Sequence, residues 1–321
     1  MTQTAKSSVS TRLLGIEIGG TKLQIFTGDS EARILTRHRF AVDRTAAAQG
    51  IRNQIEKALA EIVRAEGPIA ALGVGYGGPV DWRTGKICCS HHVEGWSDFE
   101  LGKWLEERAR CQVFIDNDAN VAALGEAYHG AGRGLSPVFY VTLGSGVGGG
   151  LIVEGRIYHG AKPGESEIGH LRLDRAGTIL ESRCSGWSVD KRIRSLKETE
   201  PGSFLCKLMR GQEGAEAKLL PQALEQNDAA ALRILNETAA DLAMGLSHVT
   251  QLFHPEVIIL GGGLSNLGEV LRGAVDVAFR PLVMKAFAPG PKICLAGLGE
   301  DVVPVGALQL ARMGLRVIGA L

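Results

Sequence analysis

Short apolar runs along the chain alternate with amphipathic segments, and several of the runs end in glycine. The first run, residues 13–18, passes through a glycine turn into a second run at residues 23–26. Strand, glycine turn, strand predicts a hairpin rather than the strand–turn–helix of a P-loop. The same pattern recurs at residues 138–143, where a glycine turn at 144–150 leads into a strand at 151–153. Two copies of one hairpin predict two similar α/β domains.

Most of the remaining chain has the period of an amphipathic helix, interrupted by further short apolar runs. Strands are predicted at residues 69–74, 113–115 and 257–260, and helices near residues 46–64, 99–108, 188–196, 215–225, 228–252 and 267–278. Strands that alternate with helices predict mostly parallel sheets with helices on their faces. We expect a small α/β domain at residues 1–119, with a C-terminal helix at about 304–321 packing back on it, and a large α/β domain at residues 120–303. The cleft between two such domains is the expected place for a ligand.

Composition is typical of a globular protein and argues against a fibrous protein, a nucleic-acid-binding protein and a membrane-spanning protein. Glycine accounts for 43 of the 321 residues, about twice its ordinary share of about 7%, but without the period of collagen. Lys+Arg and Asp+Glu are both 35. The sequence shows no basic stripe of the kind that would indicate a nucleic-acid partner. No apolar stretch reaches the roughly 18 residues that a membrane span needs. Six cysteines without C-x-x-C spacing indicate reduced thiols in a cytoplasmic protein.

Two glycine-rich segments match G-x-G-x-x-G, at residues 73–78 and 144–149. A dinucleotide-binding fold needs that motif to join a strand to a helix, whereas proline follows the first segment and another strand follows the second. We therefore reject a dehydrogenase. Backbone N–H groups in a tight turn can face a phosphate, and Thr21 and Ser145 add hydroxyl donors. A tight hairpin without a ligand explains either turn alone, but the two turns together with Gly261-Gly262-Gly263 favour a nucleotide.

Three places along the chain carry acidic side chains with candidate chemistry. Asp116-Asn117-Asp118 lies at the carboxyl end of a predicted strand and before a helix. Asp118 is therefore either the helix N-cap or a base that accepts a proton from a substrate hydroxyl. Glu167 and His170 can each bind sugar hydroxyls, or can form an ion pair in a loop. Glu181 is either a further acceptor or the cap of the next segment.

Taken in order, the motifs resemble those of the ROK family across nearly the whole chain. The motifs that carry the resemblance are Glu17-Ile18-Gly19-Gly20-Thr21-Lys22, Asp116-Asn117-Asp118-Ala119-Asn120, Gly144-Ser145-Gly146-Val147-Gly148-Gly149-Gly150 and Glu167-Ile168-Gly169-His170, with Pro255-Glu256-Val257-Ile258 and Gly261-Gly262-Gly263 resembling the adenosine-side segment. That family contains bacterial sugar kinases, including glucokinases, and sugar-responsive repressors. The resemblance implies the hexokinase/actin-like (ribonuclease H-like) fold, an α/β fold with two similar domains around a central cleft.

The resemblance also implies a role for each matching residue. Asp118 would be the general base that activates a sugar hydroxyl for attack on the γ-phosphate of ATP, and Glu17 would lie near Mg²⁺. The residues implied to hold the sugar are Gly78, Asn117, Glu167, His170 and Glu181. The residues implied to hold ATP are Gly19, Gly20, Thr21, Lys22, Gly144, Ser145, Gly146, Gly148, Gly261, Gly262 and Gly263. Dimers are common in the family, which implies a homodimer.

The chain departs from the family pattern at four places. The C-x-C-G-x-x-G-C run expected after His170 is missing. One nearby thiol, Cys184, cannot complete a zinc site, so we expect no structural zinc. Glu17 replaces the usual aspartate, and Gly78 replaces the usual proline. The family's sugar-binding asparagine is not found at residues 91–96, which leaves the identity of the sugar open.

The sequence therefore predicts an ATP- and Mg²⁺-dependent hexose kinase that acts on the 6-hydroxyl of glucose. One alternative is an N-acetylhexosamine kinase, for N-acetylglucosamine or N-acetylmannosamine. Another is a catalytically weak protein that binds and senses sugar. Only about a dozen residues precede Leu13, so no DNA-binding domain is expected and the repressor branch is disfavoured.

Overall fold

The computed structural model describes residues 11–19, 22–42, 47–90, 94–164, 166–211, 214–317 and 319. The strands are β1 Leu13–Ile18, β2 Lys22–Gly28, β3 Ile34–Ala41, β4 Ala71–Tyr76, β5 Val80–Asp81, β6 Lys86–Ile87, β7 Gln112–Asn117, β8 Val138–Leu143, β9 Val147–Val153, β10 Arg156–Ile157, β11 Val257–Gly261 and β12 Lys292–Leu295. The α-helices are α1 Ala47–Glu66, α2 Leu101–Ala109, α3 Asp118–His129, α4 Glu181–Cys184, α5 Gly186–Thr199, α6 Phe204–Leu208, α7 Leu220–Glu225, α8 Ala229–Phe253, α9 Glu269–Phe279 and α10 Val302–Val317.

The first of two compact units comprises the described residues up to 125, together with 160–164 and those from 301 onwards. Its five-stranded sheet has the order β3-β2-β1-β4-β7. β1 pairs antiparallel with β2 and parallel with β4, and β4 pairs parallel with β7. Successive side chains of a strand face opposite sides. Leu14 therefore packs with α1 and α2, whereas Leu13 packs with α10 and the start of α3.

Helix α10 lies directly against this sheet because Gly73 of β4 has no side chain. A Cβ at Gly73 would lie 1.9 Å from the carbonyl oxygen of Ala307 in α10. Because Ala307 is part of the helix backbone, its carbonyl oxygen could avoid this clash only if the whole helix moved away from the sheet. Gly73 opens the first G-x-G-x-x-G segment, so packing explains this glycine without a bound phosphate.

The second unit comprises residues 126–159 and the described residues between 166 and 300. Its sheet has the order β10-β9-β8-β11-β12, with β8 pairing antiparallel with β9 and parallel with β11. The hairpin followed by parallel strands repeats the arrangement of the first unit, which confirms the prediction of two similar α/β units. Helices α5, α8 and α9 bury their apolar faces in one core with this sheet. In the part of the chain that the structure describes, no helix has both the length and the apolar character of a membrane span.

The structure corrects the predicted elements at a few places. Strands β3 and β12 were not predicted. β9 begins at Val147 and Gly148 pairs with Thr142, so the glycines after residue 147 belong to a strand and not to a turn. The single helix predicted at 215–225 is a 3-10 helix, Glu216–Leu219, followed by α7. Pro221 occupies the first turn of α7, where its missing N–H costs no helical hydrogen bond.

Candidate functional site

The predicted site residues of the first unit meet at the carboxyl ends of its parallel strands. In the register of the sheet, Ile18 of β1 lies opposite Tyr76 of β4, and Tyr76 lies opposite Asn117 of β7. The residues that follow these three positions therefore lie along one edge of the sheet. In open α/β sheets, this edge is where ligands bind.

Asn117 ends β7 and caps the helix that follows it. Its Oδ1 accepts hydrogen bonds from the backbone N–H groups of Ala119 at 2.8 Å and Asn120 at 3.4 Å. Its Nδ2 donates to the carbonyl oxygen of Gly78 at 3.3 Å. The capping role that the sequence left open for Asp118 thus belongs to Asn117. The same side chain joins two of the residues that the resemblance assigns to sugar binding.

Asp118 is the first residue of α3 and is half-buried. Its Oδ2 lies beside Gly77, where an added Cβ would be 3.3 Å from that oxygen. The backbone N–H of Gly77 donates to the carbonyl oxygen of Ile18 at 2.8 Å, which holds the glycine segment against β1. The missing side chain of Gly77 therefore lets the Asp118 carboxylate lie close to the backbone of the glycine segment. The charge of Asp118 also acts on Tyr76, whose pKa is raised mainly by burial.

Two buried polar residues support the first turn of α3. Asp116 is 3% exposed, and its Oδ1 accepts hydrogen bonds from the backbone N–H of Asn117 at 2.8 Å and from Nδ2 of Asn120 at 2.9 Å. The fully buried Asn120 also donates to the carbonyl oxygen of Gly164 at 3.1 Å. Buried polar groups with several partners fix their surroundings in one arrangement. Sequence reasoning gave these two residues no role of their own, although both belong to the Asp116–Asn120 motif.

Glu17 lies in β1 with its side chain mostly buried. Its Oε2 accepts from Nε2 of Gln24 at 2.5 Å and lies 3.6 Å from Nζ of Lys22. Burial raises the pKa of Glu17, and the nearby Lys22 charge and the Gln24 hydrogen bond act in the opposite direction. The predicted ATP residues Gly20 and Thr21 lie outside the described residues. Gly19 lies within them, and its N–H donates to the carbonyl oxygen of Lys22 at 2.9 Å.

Glu17 offers one carboxylate to a metal ion. No cluster of three or more potential protein ligands occurs within the described ranges. Mg²⁺ in phosphoryl-transfer enzymes is held by one or two carboxylates, by water and by the phosphates of the substrate. A single carboxylate at this position fits such an ion, which needs no closed cage of protein ligands.

In the second unit, the predicted phosphate turn lies between β8 and β9. The backbone N–H of Gly144 donates to the carbonyl oxygen of Gly146 at 2.9 Å, and the N–H of Gly186 donates to the carbonyl oxygen of Gly144 at 2.7 Å. Ser145 at the tip is exposed. The turn is therefore tied both to itself and to the start of α5. Gly148, predicted with this turn, lies in β9.

Glu181 lies directly beneath this turn. Its Oε2 accepts the backbone N–H of Val147 at 2.9 Å, and an added Cβ at Gly146 would lie 2.5 Å from the same oxygen. The Ser188 hydroxyl donates to the Glu181 carbonyl oxygen at 3.1 Å. The carboxylate that was predicted to hold a sugar thus also supports the backbone of the phosphate turn.

Glu167 and His170 are both exposed; Glu167 directly precedes the 3-10 helix Ile168–His170, and His170 is its last residue. Their segment is held through the backbone, because the N–H of His170 donates to the carbonyl oxygen of Glu167 at 3.1 Å. Gly169 packs so closely that an added Cβ would lie 2.2 Å from the carbonyl oxygen of Val147. Both side chains are exposed, and no ion pair joins them among the residues that the structure describes.

A pocket of about 510 Å³ opens beside the phosphate turn, entirely within the second unit. Its lining residues come from the turn, the start of α5, the 215–221 segment and the loop after β11: Leu143, Gly144, Ser145, Gly186, Trp187, Asp190, Ala215, Ala217, Lys218, Pro221, Gly263, Leu264, Asn266 and Leu267. This volume lies in the ordinary range for small-molecule sites. Of the three predicted glycines at the end of β11 and directly after it, only Gly263 lines the pocket. Added Cβ atoms at Gly261 and Gly262 would instead meet Tyr140 and the backbone of Leu143.

The family match, the similar sequences and the similar solved structures all indicate the same protein family. Residues 13–313 match the ROK family. Glucokinases from Thermotoga maritima and Streptomyces coelicolor are 28% and 30% identical to this chain, and the alignments cover 94% and 93% of it and 97% of each relative. A crystal structure of a ROK family glucokinase from Streptomyces griseus in complex with glucose and AMPPNP has 32% identity and a TM-score of 0.80, covering 94% of this chain and 100% of that one. Since the family match extends over nearly the whole chain, this protein belongs to the ROK family.

Proposed function

We propose that this protein is an ATP-dependent glucokinase that transfers the γ-phosphate of ATP to the 6-hydroxyl of glucose. The observation that carries the proposal is the position of Asp118, on the first turn of α3 at the carboxyl edge of the sheet, with the capping role taken by Asn117. The similarity to glucokinases along nearly the whole chain supports a sugar phosphotransferase. We propose glucose and its 6-hydroxyl as the acceptor because these relatives are named glucokinases.

In the proposed reaction, Asp118 accepts the proton of the sugar hydroxyl while the hydroxyl oxygen attacks the γ-phosphorus. A new O–P bond forms, the bond between the γ-phosphorus and the bridging oxygen breaks, and ADP leaves with that oxygen. The proton then passes from the carboxylic acid to solvent. A base positioned in this way contributes about 10²–10⁴-fold to the rate. Gly77, which has no side chain, lets this carboxylate lie close to the backbone beside β1.

The chain's other residues bind and position the two substrates. The Gly144–Val147 turn and the Ser145 hydroxyl hold phosphate oxygens, and the adjacent pocket holds the nucleoside. Glu167 and His170 hold sugar hydroxyls, with Gly78, Asn117 and Glu181 as further contacts. When bound, Mg²⁺ neutralises charge that develops on the phosphates, and Glu17, with Lys22 and Gly19 nearby, would face it. We further propose that the protein acts as a homodimer in the cytoplasm.

A coupled assay of ADP release over glucose, other hexoses, N-acetylglucosamine and N-acetylmannosamine tests the proposal. We expect turnover with glucose. The Asp118→Asn variant should lose at least about 10²-fold in kcat while its affinity for glucose, measured by calorimetry, is kept. A matched control is Asp276→Asn, which weakens the partly exposed ion pair between Asp276 in α9 and Arg280 just after that helix and should leave kcat unchanged.

Three results would contradict the proposal in different ways. Absence of turnover with every sugar would favour the sugar-binding protein without catalysis. Turnover only with an N-acetylhexosamine would keep the mechanism and replace the substrate. Full activity of Asp118→Asn would remove the general base from the mechanism.

A further inference from the structure

Trp187 is a large aromatic residue whose exposure is not explained by packing. Its side chain is 59% exposed, although it lies at the start of α5, whose residues Val189 and Ile193 are buried in the core of the second unit. It stacks on no other ring and faces no cation among the residues that the structure describes. It does, however, line the 510 Å³ pocket beside the phosphate turn.

The backbone around Trp187 is held firmly on both sides. Ser185 caps α5, with its Oγ accepting the N–H of Ser188 at 3.2 Å. The N–H of Gly186 donates to the carbonyl oxygen of Gly144 at 2.7 Å. Trp187 therefore follows directly after a residue that is hydrogen-bonded to the phosphate turn. A ligand with phosphates on the turn would have its next chemical group within reach of the indole.

The remaining walls of the pocket suit a flat, largely apolar group with a polar edge. Pro221 and Leu264 supply apolar surface, while Lys218 and Asn266 supply polar groups. The buried Asp190 is already used inside the protein, because its Oδ1 accepts the N–H of Ala217 at 2.7 Å. Every purine or pyrimidine has a π-face that can stack on such an aromatic side chain.

We infer that Trp187 is the stacking platform for the purine base of the phosphate donor, so that the donor is a nucleotide and not an inorganic polyphosphate. The inference rests on the proposed function, since it gives the 510 Å³ pocket to the same donor. Stacking of a base on an aromatic residue corresponds to roughly 5- to 150-fold in affinity. Inorganic polyphosphate carries no base and gains nothing from Trp187.

The experiment measures binding of ADP, ATP and inorganic tripolyphosphate to the sugar-free protein by calorimetry. For Trp187→Ala we expect a rise in Kd of about tenfold for ADP and for ATP, with the weak affinity for tripolyphosphate unchanged. Trp187→Phe keeps a smaller ring and should recover part of the loss. Leu252→Ala, at an exposed position of α8, is the control and should bind as the parent protein does. Thermal unfolding of each variant verifies that the fold is kept.

Intrinsic fluorescence gives a second readout that does not depend on activity. Saturation with ADP should quench the parent protein, and this change should be lost in Trp187→Phe while the other tryptophans still emit. Unchanged ADP affinity in Trp187→Ala, an equal loss for ADP and tripolyphosphate, or quenching that persists in Trp187→Phe would each overturn the inference. If the enzyme phosphorylates glucose and Trp187→Ala still binds ADP normally, the inference alone fails. If ADP binding depends on Trp187 but no sugar is phosphorylated, the proposed function alone fails.

Discussion

Glu181 provides the sharpest test of how the phosphate turn is supported. Its Oε2 is the acceptor for the backbone N–H of Val147, which is 4% exposed. In Glu181→Ala this buried N–H loses its partner and has little access to water. An unpaired buried donor costs about 1–3 kcal/mol, which corresponds to roughly 5- to 150-fold in an equilibrium constant. Because the cost falls on the turn itself, we expect much of it to appear as weaker nucleotide binding.

The assay titrates ADP and ATP into sugar-free protein, so that no sugar contact contributes to the result. We expect the Kd for both nucleotides to rise about tenfold in Glu181→Ala. In Glu181→Gln a side-chain amide oxygen can still accept the Val147 N–H, so nucleotide affinity should return to near the parent value. Glu198→Ala, at an exposed position of α5, is the control for loss of a surface carboxylate and should bind nucleotide normally.

Two outcomes would refute this reasoning. If Glu181→Ala binds ADP as tightly as the parent protein and only the KM for sugar rises, the carboxylate acts on the sugar alone. If Glu181→Gln is as defective as Glu181→Ala in sugar-free nucleotide binding, the negative charge matters and the hydrogen bond to Val147 does not.

Three further predictions concern packing, charge and thiol chemistry. A Cβ at Gly306 of α10 would lie 1.9 Å from a backbone oxygen of α3, so Gly306→Ala should lower the free energy of unfolding by about 3 kcal/mol. Gly273 of α9 faces open space, so Gly273→Ala should raise the free energy of unfolding by up to about 1 kcal/mol. Urea unfolding of both variants and the parent protein measures these changes. Burial raises the pKa of Glu17, so its contribution to stability is present below the ordinary carboxyl pKa and is lost as pH rises through the raised one. Glu17→Gln should therefore gain stability relative to the parent as pH rises above the ordinary carboxyl pKa of about 4.3. Urea midpoints of the two proteins that stay parallel as pH rises would contradict this. Burial raises the pKa of Cys184 to about 12, so a thiol reagent should modify the exposed Cys88 at once and Cys184 only after unfolding, as peptide mapping of the labelled protein would show.

The strands that were predicted correctly are those with continuous apolar runs. β1 and β8 begin and end at the predicted residues because nearly every position between the flanking loops is apolar or small, Glu17 being the charged exception, and both faces of each strand are covered. β3 was missed because its exposed positions include the polar residues Thr36 and Arg39, so that the strand has no continuous apolar run. β12 is only four residues long, too short for a pattern to develop.

The motifs placed the candidate site more accurately than they assigned its contacts. The position of Asp118 after a strand followed from the sequence, because short-range signals place a strand end and a helix start. The hydrogen-bond partner of Glu181 could not be predicted from the sequence, because Val147 lies 34 residues away and the hydrogen bond exists only after the unit has folded. Gly261 and Gly262 were assigned to a ligand, yet protein atoms occupy the space that their side chains would need. Family membership and fold class are confirmed, whereas the individual site roles stay predictions.

Asn117 and Glu181 lead to one conclusion about how the proposed site is organised. Each was assigned to the sugar by resemblance, and each is already hydrogen-bonded to backbone: Asn117 to Ala119 and Gly78, Glu181 to Val147. These bonds leave one N–H of the Asn117 amide and one oxygen of the Glu181 carboxylate for a hydroxyl. A hydroxyl that binds either of them meets a group whose rotamer is fixed beforehand, which lowers the entropy lost on binding. Alanine at either position would therefore disturb a helix cap or a phosphate turn together with any sugar contact. In any assay with sugar present, variants that keep the backbone bond, such as Glu181→Gln, are therefore needed to separate the two effects.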